Sequence, residues 1–467
     1  MQNSNKNMDT IVNLAKNRGF VYAGSEIYGG LSNSWDYGPL GVEFKNNIKK
    51  AWMKKFVQES PYNVGLDSAI LMNPQVWVTS GHVGGFSDPL MDCRDCRARH
   101  RADKLIEDAG GHAEGMTFEQ MEQYIKDNGI TCPECGGKNF TEIRKFNLMF
   151  KTEVGSTAEG TSTIYLRPET AQGIFVDYLS VQKTGRMKLP FGIAQIGKAF
   201  RNEIVARQFI FRMREFEQME MQFFCKPGTE MEWFNYWKNM RMKWHQALGF
   251  GAENYRFHDH EKLAHYANAA TDIEFNMPFG FKEVEGIHSR TNFDLSQHEK
   301  FSGKQIKYHD PETGESYTPY DVETSIGVDR MFLSVMCHSF EEEKLENGET
   351  RTVLHLPQQL APTKLAILPL VRKDGLPELG EKIMKDLRYH FNCKYEDKDS
   401  IGKRYRRQDA IGTPYCITID HDSLKDECVT LRNRDTMTQE RIKIAALRGT
   451  LEDRVSITSL LKKIAED

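Results

Sequence analysis

The sequence predicts an α+β protein in three parts. A pair of antiparallel strands over residues 190–224 stands at its centre, a cysteine-rich module is inserted ahead of them, and alternating strands and helices follow residue 356. Three observations carry this: period-two alternation in PFGIAQIGKAFRNEIVARQFIFRMREFEQMEMQFF, two CxxC pairs, and a change of pattern after a charged segment at 341–356.

The central stretch reads as two strands joined by a short loop. Side chains two apart on a strand share a face. Gln195, Gly197, Ala199, Arg201 and Glu203 therefore point one way on the first strand. On the second, Arg212, Arg214, Phe216, Gln218 and Glu220 oppose Phe211, Met213, Met219, Met221 and Phe223. An apolar back seats the hairpin on a core, and the front offers arginines, carboxylates, a ring and small residues. Those groups suit a triphosphate, a purine and an amine. The plainer alternative is a salt-bridged surface hairpin, each pair worth little.

The 467 residues fit two to four domains, with 39% hydrophobic and 27% charged residues as in ordinary globular proteins. A net charge of −4 excludes a generally basic nucleic-acid coat but not a local basic patch. No apolar run is long enough to span a membrane, and the opening MQNSNKNMDT lacks a signal-peptide core, so a cytoplasmic location is expected. Nine cysteines, four of them in CxxC pairs, fit a reducing compartment with a metal site.

In chain order, 8–18 makes a short amphipathic helix, followed by a glycine-rich stretch. Pro39 starts a helix to about Gln58 with Leu40, Phe44, Ile48, Ala51, Trp52 and Phe56 as its apolar stripe. NVGLDSAILM is a strand ended by Asn73-Pro74. Cys93, Cys96, Cys132 and Cys135 then complete a tetrahedral thiolate set, which leaves no open position and makes the metal a structural zinc. A helix at about 117–127 lies inside this module, and RARHRADK between the pairs is basic enough to touch phosphates. Residues 161–178 read as strand, turn Arg167-Pro168-Glu169-Thr170, and helix; a carboxylate held there suits an ammonium ligand, or alternatively caps the helix.

After the hairpin, 229–248 is helical and 270–300 reads as two short strands around a turn. Along 319–325, Asp321, Glu323 and Ser325 oppose Tyr320, Val322 and Thr324, and Gly327-Val328-Asp329-Arg330 opens a helix. An arginine in a first helical turn works against the macrodipole, and a nucleotide phosphate would compensate it. Residues 341–356 read as an exposed break. Beyond it lies a small α/β domain whose helix carries Lys403, Arg404, Arg406 and Arg407 around Tyr405, a pattern suited to RNA phosphates and bases.

Three elements in order, the helix–strand ending at Pro74, the hairpin with Phe200-Arg201-Asn202-Glu203, and Gly327-Val328-Asp329-Arg330, resemble motifs 1, 2 and 3 of class II aminoacyl-tRNA synthetases. The finer resemblance, over SNSWDYGPLG, RPETAQGIF, FRNEI, FRMREFEQME, GIHSRTNFDL, GVDR and GKRYRRQDAIGTPYC, is to the homodimeric type of glycyl-tRNA synthetase and spans essentially the whole chain. It implies a class II antiparallel sheet flanked by helices, with catalytic parts at 1–90 and 148–345, a zinc-ribbon-like insertion at 91–147 and an α/β anticodon-binding domain at 356–467. It also implies a homodimer acting on tRNA(Gly), glycine, ATP and Mg²⁺. Carried over by position, ATP would meet Arg201, Asn202, Glu203, Phe211, Arg212, Phe216, Glu283, Val284, Gly327, Asp329 and Arg330. Among these Arg201 resembles the arginine on the α-phosphate, Phe216 the adenine platform, Glu203 the partner of the adenine amine, Arg330 the γ-phosphate arginine and Glu283 the Mg²⁺-linked acid. Glycine would meet Arg101, Glu169, Phe216, Gln218, Glu220, Arg290, Glu323 and Ser325. The chemistry needs no protein base, because the glycine carboxylate is itself the nucleophile, and catalysis becomes alignment and charge stabilisation. The rival reading is a synthetase-like tRNA-binding protein without catalysis; intact Arg201, Glu203, Phe216 and Arg330 argue against it.

Overall fold

The computed structural model describes residues 8–113, 115–155, 162–204, 208–264, 266–345 and 348–465. Hairpin-loop positions 205–207, strand position 161 and positions 346–347 of the charged segment lie outside them. Helix α1 (Met8–Arg18) precedes α2 (Pro39–Met53), which continues as a wider turn over 54–58, so the expected helix to Gln58 comes in two pieces. Gly41 lets α2 pass close beneath the preceding chain, since a Cβ there would stand 1.9 Å from the Phe20 carbonyl oxygen.

A seven-stranded sheet organises the molecule. Its strands are β1 (Asn63–Gly65), β2 (Phe191–Phe200), β3 (Glu215–Cys225), β4 (Tyr255–Asp259), β5 (Ala269–Met277), β6 (Gly280–Thr291) and β7 (Tyr320–Gly327), in spatial order β4-β5-β6-β7-β3-β2-β1. Every pairing is antiparallel except β1 with β2. Helix α3 (Ala171–Gly185) packs against one face. Helix α4 (Glu230–Gln246) and helix α5 (Val328–Ser339) cover the other, together with α2. The apolar back expected of the hairpin is present: Met219, Met221 and Phe223 are fully buried in the main core beside Phe44, Trp52, Trp244 and Phe332. Each such side chain contributes roughly 1.5–3 kcal/mol by leaving water.

Several expected elements change. The strand over 63–72 shortens to β1, with Leu71 making only an isolated bridge to Leu166. The two short strands expected over 270–300 are instead the long, paired β5 and β6, the latter followed by the helix Phe293–Ser302. The break at 341–356 is a hairpin of Phe340–Lys344 with Thr350–Leu354. Its charges are not simply exposed: Arg351 is buried between Glu343 and Asp409, 3.1 Å from the latter.

The inserted module has three strands, Ser87–Asp92, Arg99–Arg101 and Arg144–Asn147, and helices Ala102–Asp108 and Phe118–Asp127 over its own small core. The second of these helices starts with a capping box between Thr117 and Gln120. The last part is a five-stranded sheet of β8 (Leu365–Pro369), β9 (Cys393–Tyr395), β10 (Tyr415–Ile419), β11 (Cys428–Asn433) and β12 (Gln439–Lys443), ordered β9-β8-β10-β11-β12. Helices α6 (Leu376–Leu387) and α7 (Ile401–Ala410) accompany it, as the alternating pattern predicts. Helix α8 (Ile457–Ala465) then leaves this unit and buries Leu460, Leu461 and Ile464 in the main core. Among the described residues no helix is long and apolar enough to cross a membrane.

One buried ion pair ties α2 to the start of α5. Lys45 lies 2.6 Å from Asp329 and 2.9 Å from Glu217, and Asp329 also accepts from Tyr37 Oη and, at 2.8 Å, the Glu217 N–H. Removing one partner of such a group leaves a buried charge alone, at about 3–5 kcal/mol. Lys45→Ala is expected to lower the urea midpoint of the main core accordingly, followed by tryptophan fluorescence; an unchanged midpoint would show that the pair is dispensable.

Candidate active site

The front of the sheet is open. Cross-strand registry lays its side chains in rows: Gly197, Gln218 and Gly327; then Gln195, Glu220, Ser325 and Gly286; then Gln222, Glu323 and His288. Glu169, from the turn before α3, and residues 201, 203 and 210–213 between β2 and β3 wall a cleft of about 220 Å³ above these rows. The rows need small residues in places. A Cβ on Gly197 would stand 2.2 Å from Arg167 Nη2, and Arg167 is itself fixed by the Lys198 carbonyl at 2.6 Å and the Ser68 carbonyl at 2.9 Å.

Three carboxyl groups meet at one end. Glu323 accepts from Arg290 Nη1 at 2.8 Å, Gln222 Nε2 at 2.9 Å and His288 Nδ1 at 2.9 Å. Burial alone would raise its pKa, but Arg290 and His288 outweigh that and bring it to about 2. Glu169 also overcomes burial, held ionised by His82 at 3.4 Å and by Arg290 and Gln172. Glu220 goes the other way: burial, then the neighbouring Glu323 and Glu169, push it well above the usual carboxylate range, while Thr170 Oγ1 and Gln222 Nε2 contact its oxygens. The site thus gathers two carboxyl groups favoured as anions and a third, Glu220, favoured in its protonated form, with Ser325 Oγ beside Gln218 Nε2 at 3.1 Å.

At the other end the guanidinium of Arg201 lies between the rings of Phe86 and Phe216, 5.2 and 5.3 Å away, and donates to the Pro168 carbonyl at 3.0 Å. Burial lowers its pKa, against the pull of Glu169 and Glu203. Arg212 sits 3.3 Å from Glu203. Arg330 lies over Phe211 and 3.0 Å from Glu283, whose carboxyl it holds below its usual range. A flat ring, three arginines and two acids paired to them make a platform for an anionic, aromatic ligand.

Fourteen expected residues line this cleft: Glu169, Arg201, Glu203, Phe211, Arg212, Phe216, Gln218, Glu220, Glu283, Glu323, Ser325, Gly327, Asp329 and Arg330. Others correct the expectation. Arg201, Glu203, Arg212 and Arg214 are not on strands, because the ladder closes with Arg201 N–H to the Arg214 carbonyl and the chain then leaves the sheet. Asn202 is not among the residues lining the cleft, and its backbone N–H donates to the Leu148 carbonyl. Val284 sits where the β5–β6 register shifts and packs into the main core. The Asp329 carboxylate is committed to Lys45 and Tyr37. Arg290 stands behind Glu323, clamped to Asp294 at 2.9 Å. Arg101 lies apart from the carboxyl group cluster, between Asp88 at 3.1 Å and Asp103 at 2.6 Å, on a neighbouring groove that also touches Arg212. Arg404 is only 1% exposed and donates to the carbonyls of Pro369, Glu396 and Leu370, so it holds α7 to β8 rather than facing a ligand. Of its neighbours, Arg406 pairs with Glu349 and Arg407 with Glu396 and Asp399.

His82, Thr170, Gln222, His288 and Asp294 were missed by sequence reading. For His288 a signal existed: it lies between Gly286 and Arg290 at strand spacing, on the face of β6 that meets Ser325 and Glu323. The others depend on the approach of distant segments.

In the inserted module, Cys93 Sγ lies 3.6 Å from Cys135 Sγ and Cys96 Sγ 3.7 Å from Cys132 Sγ, and the four sulfurs all fall within 4.8 Å of one another. Tetrahedral zinc with bonds of about 2.3 Å separates its sulfurs by about 3.8 Å. His100 Nε2, 3.2 Å from Cys132 Sγ, supports one ligand from outside the set.

Comparison with known proteins agrees with this layout. The profile of the tRNA synthetase class II core domain (G, H, P, S and T) matches residues 150–339, that of glycyl-tRNA synthetase insertion domain 1 matches 111–148, and that of the anticodon binding domain matches 364–454. The chain is 59% identical over 457 residues to the glycine–tRNA ligase of Acetivibrio thermocellus, covering 96% of this chain and 98% of that protein. It is 60% identical over 456 residues to that of Clostridium beijerinckii, with the same coverage. Prolyl-tRNA synthetase from Cryptosporidium parvum, solved with halofuginone and AMPPNP, shares the fold with a TM-score of 0.62 at 13% identity, over 98% of this chain and 78% of that one. A structure titled as the RNA binding domain of threonyl-tRNA synthetase from the same species scores 0.64 at 16% identity, over 95% and 98% of the two chains.

The unequal carboxyl groups predict opposite pH effects on stability. Glu323, lowered on folding, contributes stability above its unfolded pKa that is lost as pH falls towards about 2. Glu220, raised on folding, costs stability once pH exceeds its unfolded value. Glu220→Gln is therefore expected to raise the melting temperature at pH 7 but not at pH 4, whereas Glu323→Gln lowers it at pH 7 by stranding Arg290 and His288. Equal effects of the two substitutions in differential scanning calorimetry would refute the assignment.

Proposed function

This chain belongs to the glycine–tRNA ligases, class II aminoacyl-tRNA synthetases that join glycine to tRNA, and we propose that its open cleft makes glycyl-adenylate before handing glycine to the tRNA. The convergence of Arg201 with Glu169, Glu220 and Glu323 in one cleft carries this assignment of the site. ATP would lie over Phe216, with Glu203 at the adenine amine, Arg201 at the α-phosphate and Arg212 and Arg330 at the outer phosphates. Glu283 is the one carboxylate that Mg²⁺ needs beside substrate phosphates; releasing it from Arg330 also frees that guanidinium for the nucleotide. Mg²⁺ supplies charge neutralisation on the phosphates.

Glycine would place its ammonium among Glu169, Glu220, Glu323 and Ser325. Its carboxylate oxygen attacks the α-phosphorus, the new O–P bond forms, and the bond to the diphosphate leaving group breaks. Arg201, already desolvated and fixed between two rings, stabilises the charge that gathers on the phosphorus oxygens. Afterwards a ribose hydroxyl of the tRNA attacks the glycyl carbonyl and releases AMP. A ligand without a side chain cannot be gripped, so selectivity must come from excluding a β-carbon by contact rather than from the small binding energy of a methylene.

We assign 1–90 and 148–345 to the catalytic part, 91–147 to the insertion and 356–467 to the anticodon-binding part, a division that the matches over 150–339, 111–148 and 364–454 support. The sulfur spacing supports a structural zinc on Cys93, Cys96, Cys132 and Cys135, and unoxidised thiolates suit a reducing cytoplasm. The α2–β1 region, which resembles motif 1, would form a homodimer contact. On α7, Lys403 would be available to tRNA(Gly), as would Arg406 and Arg407 once their carboxylate partners yield, and Arg404 would not.

Three measurements test this. Glycine-dependent exchange of diphosphate into ATP is expected, and its absence would favour a binding protein without catalysis. Arg201→Ala should abolish exchange while tRNA binding survives, and the triple substitution Lys403→Ala, Arg406→Ala, Arg407→Ala should do the reverse; equal loss of both activities in either variant refutes the division. Cys132→Ala with Cys135→Ala should remove bound zinc in bulk metal analysis, and full retention would exclude the proposed ligand set.

A further inference from the structure

Resting on the reading of Glu323 as an ammonium ligand, we propose that His288 is a positioning residue that must lose its proton when glycine binds, so that glycine affinity is proton-linked. His288 Nδ1 donates to Glu323 Oε1 at 2.9 Å, while the other oxygen of Glu323 is taken by Arg290 and Gln222. Glu323 therefore meets both the Arg290 guanidinium and the His288 ring before any ligand arrives.

The ring has been given room and a brace. Gly286, two residues earlier on β6, lacks the Cβ that would stand 3.0 Å from His288 Cε1. On its outer side His288 meets the His260 ring edge-on at 6.0 Å, and His260 Nε2 is 2.9 Å from Asp272 Oδ2. A line of titratable groups thus runs from the sheet edge, where His260 is about one-third exposed, to the innermost carboxylate. The charged groups facing His288 are Glu323 on β7, Asp272 on β5, His260 after β4, and Arg290 and Glu283 on its own strand. Burial lowers the pKa of His288, but Glu323 more than offsets this and Asp272 adds to it, leaving the imidazole more basic than usual.

An incoming ammonium changes that balance. It competes with the imidazolium for the same Glu323 oxygen and adds a third positive charge beside Arg290. The N–H bond at His288 then breaks in favour of solvent, the neutral ring keeps Nδ1–H as donor to Glu323, and no oxidant or co-reactant is involved. The proton leaves through the outer face of the ring. The sign follows: below its pKa His288 is charged and glycine binds weakly; above it glycine binds fully.

The experiment is isothermal calorimetry of glycine binding near pH 7 in two buffers of different ionisation enthalpy, alongside KM values from the exchange assay between pH 6 and 8. Wild type is expected to release protons on binding glycine. Its KM for glycine should rise by up to about tenfold per pH unit below the His288 pKa, with KM for ATP much flatter. His288→Asn, which keeps a side-chain donor but cannot titrate, should flatten the glycine profile. His260→Asn, further from the ligand, should shift its midpoint. Release that persists unchanged in His288→Asn, or KM for both substrates changing in parallel, overturns the proposal. If no variant, nor wild type, supports exchange, the failure lies instead with the assignment of the cleft.

Discussion

Three carboxyl groups within one buried cleft repel one another, and much of the surrounding structure exists to make their closeness tolerable. Arg290 is clamped by Asp294 and aimed at Glu323, His288 and Gln222 fill the remaining acceptor sites, and His82 stands against Glu169. The third acid, Glu220, has no cation of its own and stays neutral. Two charges and a proton are held in a geometry that water alone would never keep, and a small ammonium is the ligand that resolves the tension. The helix that carries Gln172 and Asp294's helix meet here, Gln172 Nε2 reaching both Glu169 and Asp294 at 3.1 Å.

The arginine end of the cleft uses a different physics. Arg212 faces the buried Glu203 at 3.3 Å, but the other two arginines rest mainly on rings. Arg201 is stacked between rings, and Arg330 rests on Phe211 against a carboxylate that is half exposed. These contacts orient the guanidinium planes and leave donors free for phosphate oxygens. Beneath the sheet, α4 adds a buried clasp: Arg241 donates to Thr324 Oγ1 at 2.6 Å, and His245 lies 2.8 Å from Glu285. Glu285 and Glu283 flank the register shift on β6, so the same irregularity sends one acid into the core and the other to the cleft.

What the sequence made legible was periodicity and order. Alternation along β3 and β7 placed Glu220, Glu323 and Ser325 on one face, and the apolar partners Met219, Met221 and Phe223 on the other. The spacing of four cysteines gave a thiolate cluster. Alternation failed where the backbone leaves the sheet: Arg201 and Arg212 reach the cleft from a connection, which no period describes. Composition misled on α7, since four cations in five positions look alike as RNA contacts until the fold turns one inward; Arg404 satisfies the carbonyls of Pro369 and Leu370 at the end of β8 and of Glu396 after β9, and could not be told apart from its neighbours by type. Asp329 was similarly ambiguous, because the lysine that claims it lies 284 positions earlier.

Helix α8 places Leu460, Leu461 and Ile464 in the core that supports the catalytic sheet, although the unit before it has a core of its own. During synthesis, then, the first core waits with an open seam while more than a hundred further residues between the hairpin strand Thr350–Leu354 and α8 are made. At about 5–20 residues per second that interval is on the order of ten seconds. The seam is apolar for as long as it stays open, which makes this the period when a nascent chain is most exposed to wrong partners. Order of manufacture and order of packing are out of step in this molecule, and closing its catalytic body is among the last events of its making.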